Sequence, residues 1–297
     1  MAHSHLLLGA GAEPAQITVR TIGVADLKDA LRKGFDDFLA MPTHAMFLCI
    51  VYPLAGLLLA RLAFGYSVLP LLYPIATGFA LVGPFAALGL YEMSRRREMG
   101  MPVTAASAFD VLESSSIGAI AALGLLLLAV FGIWVMVANA IYIGAFGYAP
   151  PASIETFLRD VFTTQAGWSL IVIGNLVGFC FAAVVLTIGV VSFPLLLDRD
   201  VGAAVALLTS IRAVAQNPGV MALWGFTVAA LLLLGSLPAF LGLTVVMPVL
   251  GHATWHLYRK VVDGEAGLRP GQWRRPTTGR RYAADFPANL FPWSRER

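Results

Sequence analysis

The chain has 297 residues, of which 58% are hydrophobic and 12% are charged, with a formal net charge of +3 and a mean hydropathy of +0.78. A soluble globular domain carries about 25% charged residues, so this composition excludes an ordinary soluble protein. The two cysteines, Cys49 and Cys180, both lie in apolar runs and give neither a disulfide framework nor a cysteine-rich metal motif.

Residues 1–23 are small, polar and rich in Gly and Pro, and we expect them to be disordered. From Val24 apolar residues recur at intervals of three and four while acidic and basic residues fill the other positions, which predicts an amphipathic helix at the membrane surface. Pro42 ends this helix. Its apolar face comprises Val24, Leu27, Leu31, Phe35 and Phe38, and Asp26, Lys28, Asp29, Arg32, Lys33, Asp36 and Asp37 occupy the polar face.

Long apolar runs recur along the rest of the chain. Runs of about eighteen residues or more are typical of membrane-spanning helices, and the short alternating strands of a barrel are absent from the sequence. The last apolar run, 219–258, would form a helix of about 60 Å, twice the hydrocarbon thickness, so we divide it near Pro238. The predicted spans are 45–64, 68–91, 117–146, 168–197, 219–236 and 238–258.

The predicted fold is therefore an all-α polytopic bundle of about six spans, in which amphipathic helices at the cytoplasmic surface precede pairs of spans. The transmembrane domain covers 24–262, and 263–297 form a basic cytoplasmic tail. Pro84, Pro194 and Pro248 each lie near the cytoplasmic end of a second span, which suggests three copies of one unit. The alternative is that proline simply ends helices at membrane borders.

Basic residues set the predicted orientation. With six spans, the cluster Arg95–Arg97, Arg259, Lys260 and the tail all lie on one side, as the positive-inside rule requires. Both termini are then cytoplasmic. Anionic lipid head groups are the expected contacts of Arg95, Arg96, Arg97, Arg259 and Lys260.

Four segments resemble a known family. They are the junction around Pro42, GPFAALGLYEMSRRREMG, FPLLLDRDV and PVLGHATWHLYRK. In this order they resemble the DUF2189 family of uncharacterised bacterial integral membrane proteins, over about residues 20–260. The resemblance implies a multi-pass protein of the bacterial inner membrane, and some members of the family carry a cytochrome c oxidase label.

Few residues suggest chemistry. His252 and His256 are four residues apart, so a helix places both on one face, where they could ligate a metal or haem. His44 at the border of the first span could approach them, and Glu92 and Glu113 are the other polar candidates. The alternative is a structural role at the interface, and because two histidines do not define a site, no catalytic, cofactor or metal residue is assigned.

The leading functional hypothesis is a non-enzymatic scaffold or accessory factor that contacts the bilayer and a membrane-protein partner, without nucleic acid. The alternative is a small-solute transporter or channel-like pathway, because Asn139, Asn175 and Thr187 lie within spans. The third is a membrane enzyme or an assembly factor linked to a respiratory oxidase. Five histidines are too few for a catalytic haem-copper core.

Overall fold

The structure, a computed structural model, describes residues 17–41, 54, 70, 71, 74, 75, 83–148, 151–238 and 240–263. Within these ranges the chain is helical apart from short connections and an isolated bridge between Val19 and Val262. The predicted all-α class is confirmed. The helices are α1 (Val24–Ala40), α2 (Gly83–Ala86), α3 (Leu88–Glu98), the 3₁₀ helix Ala105–Glu113, α4 (Ile117–Phe146), α5 (Ile154–Thr163), α6 (Gln165–Gly189), α7 (Ser192–Asp198), α8 (Ala203–Gln216), α9 (Pro218–Ser236) and α10 (Leu243–Val261).

Three stretches are long and apolar enough to cross a membrane: α4, α6 together with α7, and α9. They coincide with or overlap the predicted third, fourth and fifth spans. At most a third of the residues in their most apolar windows are buried within the protein, so most of this apolar surface faces outward, where lipid can cover it. The structure is thus a helical membrane bundle.

The count of six spans stays a prediction. Span 45–64 lies almost entirely outside the described residues, and the part of span 68–91 before Gly83 is described at only four positions. Helix α10 contains most of the predicted span 238–258, but it is not among the three stretches that meet the apolar criterion, because its second half carries His252, His256, Arg259 and Lys260.

Helix α1 packs along α10 in the antiparallel direction, more extensively than any other described pair of helices. Asp29, near the start of α1, pairs with Lys260 at 2.9 Å, and Asp37, near its end, contacts His256. The two backbones approach closely at Gly34, where an added Cβ would lie 2.5 Å from the backbone nitrogen of Ala253. This close packing fixes the second half of α10 against α1.

The buried face of α1 differs from the predicted one. Leu27, Ala30, Gly34, Asp37 and Phe38 are buried, whereas Val24 and Phe35 of the predicted apolar face are about half exposed. The assignment of Asp37 to the polar face is wrong. The small residues Ala30 and Gly34 let α10 approach on that side, and α10 then supplies partners for the carboxylate. Contact of α1 with the membrane surface stays a prediction.

The segment before α1 is ordered from Ile17 onwards. Arg20 donates its backbone N–H to the carbonyl of Val261 at 2.7 Å, and Ile22 is buried. The predicted disorder of 1–23 therefore does not extend over 17–23, because this segment completes its backbone hydrogen bonds at the end of α10. Residues 1–16 lie outside the described part of the chain, as does the tail beyond Asp263.

Several helix ends meet beside this segment. Asn217, at the start of α9, accepts a hydrogen bond from the backbone N–H of Ile22 at 2.8 Å. Arg259, near the end of α10, lies 3.1 Å from Glu98 at the end of α3 and 3.6 Å from Asp198 at the end of α7. The polar contacts of the fold are thus concentrated where α3, α7 and α10 end and where α1 and α9 begin.

Candidate functional site

A group of polar side chains from three helices lies in the interior at this end of the bundle. We call it the ionic cluster: Asp37 from α1, Ser94 and Arg97 from α3, and His252 and His256 from α10. The histidines share a face because they are four residues apart on one helix. The three-residue separation of Ser94 and Arg97 has the same effect on α3, so both helices present two polar groups to Asp37.

Asp37 is the centre of the cluster and is 4% exposed. Its Oδ2 accepts a hydrogen bond from Ser94 Oγ at 2.6 Å and lies 2.9 Å from Nε2 of His256. Its Oδ1 accepts a hydrogen bond from Nη1 of Arg97. Both carboxylate oxygens therefore have partners, and the carboxylate joins all three helices.

His252 is fully buried and contacts Asp37 through the serine. Its Nδ1 lies 2.8 Å from Ser94 Oγ. Ser94 donates its hydroxyl hydrogen to Asp37. Its oxygen therefore accepts a hydrogen bond from the protonated Nδ1 of His252. The other ring nitrogen, Nε2, is buried and makes no hydrogen bond within the described part of the chain.

The environment keeps Asp37 ionised. Burial alone would raise the pKa of this carboxyl, but the hydrogen bonds from His256 and Ser94 outweigh burial, and the pKa lies below its usual value of 3.8. At neutral pH the centre of the cluster is therefore a buried carboxylate, balanced in part by Arg97.

A second ion-pair group adjoins the cluster on α3. Glu92 is buried and accepts hydrogen bonds from Arg95 at 2.8 Å and from Arg96 at 2.9 Å. Arg96 also pairs with Asp110 and donates to Ser107 at 3.0 Å, both in the 3₁₀ helix. These contacts hold the 3₁₀ helix against α3.

A third group joins the ends of α3, α7 and α10. Tyr258 donates its hydroxyl hydrogen to Asp198 at 2.7 Å, and the indole N–H of Trp255 donates to Glu98 at 3.0 Å. Arg259 contacts both carboxylates. The aromatic rings at 255 and 258 therefore act as buried hydrogen-bond donors in addition to filling the core.

The structure brings together some of the candidates named from sequence and separates others. His252 and His256 both belong to the ionic cluster, and Glu92 lies in the adjoining group. Glu113 is exposed and takes part in no ion pair of the described residues. His44 lies outside the described residues, so its approach to the histidine pair stays a prediction.

The five basic residues proposed for lipid contact are all in ion pairs. Arg95 is 2% exposed, so a head group has no access to it in this arrangement. Arg97 keeps 42% of its side chain exposed and Lys260 keeps 32%, although each pairs with a carboxylate. Lipid contact by the partly exposed residues stays a prediction.

The site offers little for catalysis or metal binding. Ser94 and His252 are 1% and 0% exposed, so a substrate has no access to them. Among the described residues, no group of three or more His, Cys, Asp and Glu side chains is arranged to hold a metal ion. The arrangement can hold helices together, because its hydrogen bonds and ion pairs join side chains from three of them.

Sequence reasoning missed Asp37 and Ser94, the two residues that complete the cluster. Asp37 stands among other charged residues of α1 and gives no local signal of burial. Ser94 precedes three arginines and is equally inconspicuous. Their role becomes visible when α1 and α3 are both packed on α10.

The polar side chains within the spans have a different arrangement. Asn175 donates to the carbonyl of Ile171 at 2.8 Å, and Thr187 donates to that of Ala183 at 2.7 Å, both within α6. Asn175 is exposed on the outer surface of the bundle. These bonds satisfy the side chains within their own helix.

Three long apolar stretches whose surface faces largely outward indicate an integral membrane protein of the helical class. A family model described as predicted integral membrane protein (DUF2189) matches residues 72–198. The match confirms the resemblance over that range, which contains GPFAALGLYEMSRRREMG and FPLLLD. No curated protein and no solved structure matches the chain.

Proposed function

We propose that the protein is a non-enzymatic scaffold or accessory factor of the bacterial inner membrane. The observation that carries this proposal is the arrangement around Asp37, where the groups best suited to chemistry are buried and bound to one another. Breaking a buried ion pair by removing one partner is strongly destabilising, so such a cluster suits a fixed platform that positions helices.

Contacts at the start of α9 and the end of α10 support the six-span arrangement, in which both termini lie on one side, and the basic residues on that side favour the cytoplasm. The start of α9, at Asn217, bonds to Ile22, and the end of α10, at Val262, pairs with Val19 three residues earlier. If α9 crosses the membrane, α10 must return to the same side. The ion pairs of Arg259 with Glu98 and Asp198 support the same side for the ends of α3 and α7.

A solute pathway has less support. Asn175 is directed outward, and Thr187 bonds to its own helix, so these two side chains do not favour a polar passage between the described helices. The enzyme alternative needs an accessible polar group, whereas Ser94 and His252 are buried. An accessory role at an oxidase fits the scaffold proposal but rests on the family label.

The test is cross-linking in native membranes, followed by purification in a mild detergent and native mass spectrometry. A scaffold gives a defined complex with another membrane protein at fixed stoichiometry. An optical spectrum and elemental analysis of the same sample test the alternatives. A chain that purifies with lipid alone, or a stoichiometric haem or metal that is lost in His252→Gln, would overturn the proposal.

The orientation has a separate test. A reporter that is active on one side of the membrane, fused after the basic tail, is expected to report a cytoplasmic C-terminus. A second fusion at Tyr148, between α4 and α5, is expected to report the opposite side. Two fusions on the same side would contradict the six-span arrangement.

The bilayer contacts also follow from this orientation. The partly exposed cations Arg97 and Lys260 would lie at the cytoplasmic surface, where anionic head groups attract basic residues by about 1 kcal/mol each. Their carboxylate partners reduce this attraction, so we expect lipid contact to be weaker here than at unpaired cations.

A further inference from the structure

A small cavity lies at the end of α4 opposite to the ion-pair groups. Its volume is about 200 Å³, and its walls come from the last turn of α4, the connection that follows, and α5. The lining includes the rings of Tyr142, Phe146 and Phe157, together with Thr156 and the carboxylate-bearing Asp160.

The three rings form one aromatic group. The ring centroids of Tyr142 and Phe146 are 5.6 Å apart, and that of Phe157 lies 6.3 Å from Tyr142 and 6.4 Å from Phe146. Phe157 is inclined to the other two by nearly 60°, and all three rings belong to residues that line the cavity. Ring faces carry partial negative charge and attract cations.

Asp160 adds a full negative charge to the same wall. It lies one helical turn after Phe157 on α5, and 37% of its side chain is exposed. Arg159, its ion-pair partner within the described part of the chain, is 3.6 Å away and is itself 69% exposed, so the pair is loose and solvated. A cation that enters the cavity could therefore replace Arg159 as the partner of Asp160.

The size of the cavity limits the ligand. Pockets for drug-sized molecules have volumes of about 300–1,000 Å³, so this cavity suits a smaller group. Aromatic rings with a carboxylate favour a compact organic cation over an anion or a neutral group of the same shape. We propose that the cavity binds an alkylammonium group, such as the head of choline or ethanolamine, free or as part of a phospholipid.

This binding site is independent of the scaffold role. The test uses the full chain purified in a mild detergent and titrated with choline, with binding followed by saturation-transfer NMR. The control ligand is 3,3-dimethylbutan-1-ol, which has the shape of choline without its charge. We expect choline to bind at least tenfold more tightly than the neutral alcohol.

Variants locate the site. Asp160→Asn and Phe157→Leu are each expected to weaken choline binding at least fivefold, whereas Arg159→Gln strengthens it by removing the competing cation. Glu155→Gln is the matched control, because Glu155 is an exposed acidic residue of α5 that does not line the cavity. Thermal unfolding of each variant checks that the fold is intact, and the partly exposed Asp160 gives a test that does not depend on core packing.

A second measurement separates the two sources of the ammonium group. Nanodiscs with equal phosphatidylethanolamine and phosphatidylglycerol are analysed by native mass spectrometry for the lipid that stays bound. Retention of phosphatidylethanolamine that is lost in Asp160→Asn indicates a lipid head group, and choline binding without lipid selectivity indicates a free solute. Equal binding of choline and the neutral alcohol, or undiminished binding of choline by Asp160→Asn, would overturn the proposal.

Discussion

The ionic cluster and the three apolar spans distribute their side chains in opposite ways. In the cluster, Asp37, Ser94 and His252 are buried, whereas the apolar Phe35 of the neighbouring face of α1 is about half exposed. In α4, α6 and α9, apolar side chains face outward, as Leu125 and Phe226 do. The difference indicates that packing and ion pairs hold the helices together at one end of the bundle. Along the spans, the outward-facing apolar side chains suit contact with lipid.

The largest expected effect comes from filling the closest contact of α1 with α10. In Gly34→Leu the new side chain meets the backbone of Ala253, so we expect the two helices to separate and the free energy of unfolding to fall by about 3 kcal/mol or more. Thermal unfolding in detergent, with proteolysis to detect release of α1, measures this loss.

The matched control is Gly132→Leu on α4, where an added Cβ meets nothing within 4 Å. This position faces outward, and we expect the unfolding midpoint to change little. Equal losses in the two variants would contradict the view that packing is concentrated at the α1–α10 end.

Removing the central charge of the cluster is expected to have the next largest effect. Asp37→Asn leaves Arg97 without its carboxylate and weakens the contacts with His256 and Ser94. Losing one partner of a fully buried pair costs about 3–5 kcal/mol, but Arg97 remains partly solvated, so we expect a loss of about 2 kcal/mol. If this variant is as stable as the wild type, Asp37 is not the central link of the cluster.

A low pH should destabilise the end of the bundle that carries the ion pairs more than the apolar spans. The pKa of Asp37 is lowered in the folded state, so its stabilising contribution is complete above the unfolded value of about 3.8 and is lost as the pH falls below it. The pKa of Asp29 is lowered too, chiefly by its hydrogen bond with Lys260, and its contribution is lost in the same direction.

Unfolding midpoints measured between pH 3 and pH 6 test this dependence. We expect Asp37→Asn to flatten the decline below about pH 4, whereas Asp36→Asn, the exposed neighbour, keeps it. A decline of equal steepness in both variants would place the acid sensitivity elsewhere.

Lys260 acts at alkaline pH. Its pKa is raised in the folded state, so its contribution to the stability of the fold is present below about pH 10.5 and is lost as the pH rises above that value.

How much the sequence predicts also differs between these regions. The bounds of α4 equal those of the predicted third span, because an unbroken apolar run of this length is typical of a membrane-spanning helix. Ser153 accepts a hydrogen bond from the backbone N–H of Thr156, the capping contact that a serine before the first turn of a helix commonly makes. Both features depend on residues that are near one another in the sequence.

The ionic cluster could not be predicted in the same way. Asp37 and His256 are separated by 219 residues, and their contact depends on how α1 is turned about its axis. Helical periodicity favoured the face with Leu31 and Phe35, whereas the close approach permitted by Gly34 selected the neighbouring face. Tertiary packing thus decided which charges became buried.

The smallest expected effect lies in the apolar region. Thr187→Val removes a hydroxyl that bonds to the carbonyl of Ala183 in its own helix, so we expect the free energy of unfolding to change by less than about 0.5 kcal/mol. Ion or solute flux through reconstituted vesicles should also be the same with and without the substitution. A large change in flux at unchanged stability would favour a transport pathway over the scaffold.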